Sequence, residues 1–119
     1  MMPPKPVYKR GDIVLVLFPH SDLSTAKTRP ALIIERDDLQ TGLPQVIVAM
    51  ITSRMFRANH PSRVVIHRAS TEGQQTGLLA DSVVMTDNIT TITETAIERV
   101  IGNLSMNEID QALRHTLNL

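Results

Sequence analysis

Apolar positions in this chain fall into short runs rather than long helical stripes. Residues 13–18 read IVLVLF after Gly11-Asp12, a stretch rich in β-branched residues that predicts a strand over 12–18. Pro19 stops it. Residues 21–28 are polar and irregular, a connection longer than a tight hairpin needs, and long connections are often functional. Ala31 to Glu35 (ALIIE) is expected as the second strand, opened by Pro30, because proline is tolerated at a strand's first position. Val46 to Thr52 (VIVAMIT) follows, apolar enough to be buried on both faces. A second long loop, 53–62, leads into RVVIH at 63–67. Leu78 to Thr86 supplies a fifth strand, continued after a kink by Ile89 to Ile92, and 97–104 fits strand or helix, a short strand being favoured.

Only the end of the chain has a clear helical period. Ile109, Ala112, Leu113, Thr116 and Leu117 share one face, and Ser105 with Glu108 fits a capping box. An amphipathic helix over 106–117 is expected. Several short strands closed by one terminal helix point to a mainly β fold, a small barrel, rather than to alternating βαβ units.

Composition narrows the class. At 119 residues the chain fits one domain, large enough to fold without disulfides or a structural metal. The absence of cysteine removes disulfide frameworks, thiolate metal sites and cysteine nucleophiles, and suits a cytoplasmic protein. No apolar run approaches the roughly 18 residues of a membrane span. The proline-rich, basic start, Met1 to Arg10, lacks the apolar core of a secretory signal and reads as a flexible lead-in. His20, His60, His67 and His115 show no ligand spacing, so neither a metal nor another cofactor is expected.

The net charge is zero, yet its distribution is uneven. Residues 39–71 carry Arg54, Arg57, Arg63 and Arg68 with no acid. Residues 72–119 carry Arg99 and Arg114 against seven acids. The central basic stretch could hold an anionic polymer through its local field, or it could be an arginine-rich loop without a partner.

Six segments then occur in a family's order: Lys9-Arg10-Gly11-Asp12-Ile13-Val14; Phe18-Pro19; Thr28-Arg29-Pro30-Ala31-Leu32-Ile33-Ile34; Val46 through Ser53; Asp81-Ser82-Val83-Val84 with Thr91-Ile92; and Arg99 through Ser105. Each is weak alone. Together, from about residue 8 to 119, they resemble the PemK/MazF toxins of type II toxin–antitoxin systems. The resemblance implies an SH3-like barrel with a C-terminal helix, a homodimer, neutralisation by a cognate antitoxin, and DNA binding together with it. It also implies sequence-selective, metal-independent cleavage of single-stranded RNA. The family's key arginine and threonine fall on Arg29 and Thr52, and an acidic position falls on Asp87. A second arginine that some members carry is replaced here by Met85.

Such cleavage uses the ribose 2′-hydroxyl as nucleophile and leaves a 2′,3′-cyclic phosphate and a 5′-hydroxyl. Arg29 suits the charge building on phosphorus, since its planar fork binds two phosphate oxygens and stays protonated. Thr52, at a strand end, can donate a hydrogen bond to the same group, and Ser53 is a second candidate. Asp87 and His20 are candidates for proton transfer, although Asp87-Asn88 also reads as a turn and His20 as a solvated loop residue. Lys27, Arg54 and Arg57 are candidate phosphate contacts, and Phe56 is a candidate base-stacking side chain that would otherwise tuck into the barrel. Antitoxin is expected in the groove between loops 21–28 and 53–62. Two alternatives stay open: a non-enzymatic inhibitor of DNA gyrase on the same frame, and an inactive barrel that only binds antitoxin.

Overall fold

The computed structural model describes residues 8–19 and 26–119. Six strands, β1 (Asp12–Pro19), β2 (Ala26–Ile33), β3 (Gln45–Thr52), β4 (Arg63–Ile66), β5 (Ser82–Thr93) and β6 (Ile97–Asn103), form one antiparallel sheet. A short helix, α1 (Thr71–Gln75), precedes β5, and α2 (Asn107–Leu117) ends the chain. The mainly β architecture with a terminal helix is the expected one. The strand order is β4-β5-β3-β2-β1-β6, so β4 and β6 are edges, and among the described residues no ladder joins them. The sheet is therefore not closed, and SH3-like barrel describes it only loosely.

Period-two alternation assigns the strand residues to two cores. Val14 and Val16 of β1, Ala31 and Ile33 of β2, Val46, Val48 and Met50 of β3, and Val83, Met85 and Ile92 of β5 cluster on one face with Ile97. Among the described residues, only Tyr8, Ala58 and Ala96 from outside the strands pack there, so the sheet buries that face by curving around it. The opposite face carries Ile13, Leu32, Ala49, Ile51, Val64, Ile66 and Val84, and is covered by Ile109, Ala112 and Leu113 of α2 with Leu78 and Leu104.

The curvature has a local cause in β5. Ala49 pairs with Ile89 while the next residue, Met50, pairs with Met85. Thr86, Asp87 and Asn88 thus have no counterpart on β3, an irregularity that bends a strand. The bend is held by Thr86, which is fully buried and gives both its amide (3.0 Å) and its hydroxyl (2.7 Å) to the Ser62 carbonyl.

The helix begins one residue later than the capping box requires. Met106 occupies the N-cap without a side-chain hydrogen bond, so Ser105 lies outside the helix and the box does not form. Glu108 and Asp110 in the first turn and Arg114 and His115 in the last complement the helix dipole instead. Asn118, in the left-handed region at φ 58°, ends the helix with its amide on the Arg114 carbonyl. Among the described residues no helix is long and apolar enough to cross a membrane.

Candidate active site

The first half of β2 pairs on one side only. Lys27, Thr28, Arg29 and Pro30 lie opposite Phe18, Leu17, Val16 and Leu15 of β1, while pairing with β3 begins only at Ala31 with Met50. This arm leaves its far edge without a strand, which is where a residue lacking an N–H fits. Pro30 therefore sits inside β2, and Arg29 is anchored in a strand rather than at the end of a loop as expected. Beyond Met50, β3 continues to Thr52 alongside β5, and a gap opens between the end of β3 and the arm.

That gap is a cavity of about 460 Å³, within the usual range for ligand sites. Its walls are the β2 arm, residues 51–54, Arg99 and Ile101 of β6, and residues 77–80 after α1. Two glycines hold the last wall in place. A Cβ on Gly77, whose φ is +73°, would meet the Ile101 carbonyl oxygen at 2.1 Å, and one on Gly102 would meet the Gln75 oxygen at 2.3 Å. Backbone thus rests directly on backbone, and Leu79 at the cavity's mouth stays 84% exposed.

The electrostatics of the cavity are one-sided. Lys27, Arg29, Arg54 and Arg99 line it, and among the described residues no acidic side chain does. Among the described residues none of the four is in an ion pair. Like charges gathered in a cleft focus the field and raise the local concentration of anions. Thr52, half-buried at the end of β3, accepts the Arg54 amide on its hydroxyl oxygen at 3.2 Å. A hydroxyl that accepts still has its own proton to give, so Thr52 can donate to an oxygen in the cavity. Exposed Ser53 adjoins it.

The structure thus brings together Arg29, Thr52, Lys27, Ser53 and Arg54. It does not bring Asp87 to them. Asp87 lies in the β5 bend, outside the cavity lining, and Arg63 holds its carboxylate from Nη2 at 2.7 Å and Nε at 3.1 Å. The Arg63 hydrogen bond keeps the Asp87 carboxyl below its ordinary value against a partial desolvation cost, and the pairing raises the Arg63 value in turn. The structure therefore holds Asp87 in an ion pair with Arg63 and apart from Arg29 and Thr52. Arg63 also gives Nη1 to the Arg57 carbonyl at 3.0 Å, which ties the loop after β3 to the bend.

Phe56 and Arg57 lie outside the lining, in a 3-10 turn, Met55–Arg57. Phe56 is 79% exposed rather than tucked into the sheet, with the Arg57 guanidinium 5.8 Å from its ring centre. His20, and most of the loop expected to border the antitoxin groove, fall outside the described residues. Arg99 was missed because it stands in the acidic half of the sequence, and only the pairing of Leu15 with Arg99 carries it to the cavity. Among the described residues no three His, Asp or Glu side chains gather into a metal-binding group.

Fold and cavity define a small β-sheet protein with a helix on one face and a cationic cleft at a strand edge. The family model of PemK-like, MazF-like toxins of type II toxin–antitoxin systems matches residues 9–117, and the chain belongs to that family. Among similar solved structures is an endoribonuclease in complex with its cognate antitoxin from Mycobacterial species, 23% identical, with 94% of this chain and 96% of that chain covered and a TM-score of 0.71. The Mycobacterium tuberculosis toxin MazF-mt6 is 26% identical over 89% of this chain and 97% of its own, with a TM-score of 0.64. A MazE–MazF structure from Deinococcus radiodurans superposes at a TM-score of 0.74 over 97% and 99%, with 16% identity.

Proposed function

We propose that this toxin is an endoribonuclease that cuts single-stranded RNA at the cationic cavity, by attack of a ribose 2′-hydroxyl and without a metal ion. The observation that carries the reading is the lining itself: among the described residues it holds four cations, no acid, and a Thr52 hydroxyl that accepts the Arg54 amide and can still donate. Arg29 is the charge clamp. Its guanidinium would hold two oxygens of the scissile phosphate, a bidentate geometry a lysine cannot supply. Thr52 would donate to the same phosphate, where one preorganised donor is worth about 10²–10³ in rate.

Lys27, Arg54 and Arg99 would bind the flanking phosphates. A strand leaving the cavity past Arg54 would reach the exposed ring of Phe56, a stacking surface for a base, with Arg57 beside it. The antitoxin complexes of the similar toxins support a protein partner here, and we assign it the same cationic surface, so that antitoxin and RNA compete. The working form is assigned as a cytoplasmic homodimer.

Incubation of the purified chain with a single-stranded transcript in EDTA tests the chemistry. New 5′-hydroxyl ends paired with cyclic phosphates are the expected products. Cleavage that requires an added divalent ion, or that leaves 5′-phosphates, contradicts the mechanism.

A further inference from the structure

With Asp87 committed to Arg63, the described lining offers a charge clamp and a hydroxyl donor but no group to take the 2′ proton. Resting on the nuclease reading above, we infer that Glu98 is that group: β6 bulges at Glu98 and delivers its carboxylate to the rim of the cavity.

Three observations place it there. Val16 of β1 pairs with Ile97 and Leu15 pairs with Arg99, so Glu98 is an extra residue with no partner on β1. Such bulges re-aim a side chain, and they occur beside active sites. Its neighbour Arg99 lines the cavity. Most directly, Glu98 reaches across β1 to the β2 arm, where its Oε2 accepts the Thr28 hydroxyl at 3.2 Å, and Thr28 is itself a lining residue next to Arg29.

The other described acid beside the cavity is Asp81, which follows Ala80 and precedes Ser82 in the lining. Its carboxylate is turned elsewhere: Oδ1 accepts the Arg68 amide at 2.8 Å and Oδ2 is 4.0 Å from His67. Glu98 has one oxygen on Thr28, and no hydrogen bond among the described residues uses the second. A base held by one orienting hydrogen bond, with an oxygen left over, is the arrangement general-base chemistry needs. The charged groups that line the cavity it borders are Lys27 and Arg29 on the arm, Arg99 on its own strand and Arg54 after β3.

The step balances as a transesterification. The 2′ proton passes to the free Glu98 oxygen as the 2′ oxygen bonds to phosphorus. The bond from phosphorus to the 5′ oxygen breaks, and the departing oxygen takes a proton from water. Glu98 then returns its proton to solvent. Glu98 and the clamp have separate duties, since Arg29 meets the phosphate and Glu98 the ribose.

The test compares the full-length chain with Glu98→Gln, Glu98→Asp and Thr28→Val. Single-turnover cleavage of an RNA oligonucleotide spanning a mapped cut site is followed across pH, with affinity for its 2′-deoxy counterpart measured in parallel. Glu98→Gln is expected to slow cleavage about 10²-fold or more, to bind the 2′-deoxy strand at least as tightly, and to lose the fall in rate toward low pH. Glu98→Asp should recover part of the rate, and Thr28→Val should lose about tenfold while keeping the low-pH fall. A Glu98→Gln rate within about threefold of the parent, or a loss of affinity that accounts for the lost rate, overturns the assignment. If the parent cleaves and Arg29→Ala does not, that failure is confined to Glu98. A parent chain that cleaves no RNA overturns the nuclease reading and this inference with it.

Discussion

Arg63 on the edge strand β4 and Asp87 in the bend of β5 face each other through two hydrogen bonds, Nη2 to Oδ2 at 2.7 Å and Nε to Oδ1 at 3.1 Å. Their side chains are 24% and 35% exposed, so the pair sits at the protein's margin rather than in its core. Its work is local: it fixes the bend and, through the Arg57 carbonyl, the loop that carries Phe56.

Replacing Asp87 by Asn should therefore affect stability more than chemistry. The Asp87 value is depressed in the folded chain. The stability it contributes is then present above about pH 4, the ordinary carboxylate value, and is lost as pH falls through the lower folded value. Thermal melts of the parent and Asp87→Asn should differ at neutral pH and converge in acid, with cleavage by the variant within about tenfold of the parent. A 10²-fold or greater loss of cleavage with unchanged melting would return Asp87 to the active site.

The wall after α1 gives a second prediction. Gly77→Ala places a Cβ against the Ile101 carbonyl and forces a positive φ on alanine. Overpacking of this kind costs about 1–3 kcal/mol, and the loop can relieve it only by moving off β6. Denaturant titration should show that loss, and RNA affinity should fall with it. Parent-like stability would mean that the loop is not seated as described.

Charge in the cavity predicts salt dependence. Lys27→Ala and Arg99→Ala should each lower the slope of log affinity against log salt for single-stranded RNA by about 0.7, the value for one phosphate contact. Fluorescence anisotropy with a 2′-deoxy oligonucleotide at several salt concentrations measures it. An unchanged slope in Arg99→Ala would remove that residue from the RNA path.

What the sequence disclosed followed range. Strands β1, β3 and β4 and helix α2 were legible within a residue or two because β-branched runs and a 3.6-residue period are local signals. The β2 arm was not, since polar residues 26–29 have little strand character and are ordered by pairing with β1. Helix α1 is only five residues long, and its cap, Ser70 accepting the Gly73 amide, carries no apolar period. Arg29 and Thr52 were named from ordered motifs and Arg54 from the acid-free basic stretch, and all three line the cavity. Arg99 lines the cavity, and Glu98 reaches Thr28 beside it, only because β6 lies beside β1, far away in sequence, and the bulge that turns Glu98 has no signature in the residues themselves. The pairing of Asp87 with Arg63 was hidden for the same reason, because the two are 24 residues apart.

The central claim is that Arg29 clamps the phosphate that is cut. Single-turnover cleavage of a mapped RNA site by the parent and by Arg29→Ala, each at saturating protein, tests it most directly. Saturation removes differences in binding, so a clamp acting on the transition state should cost the variant about 10²–10³ in rate or more. Equal rates for the two proteins at saturation would contradict the account and place the chemistry elsewhere on the molecule.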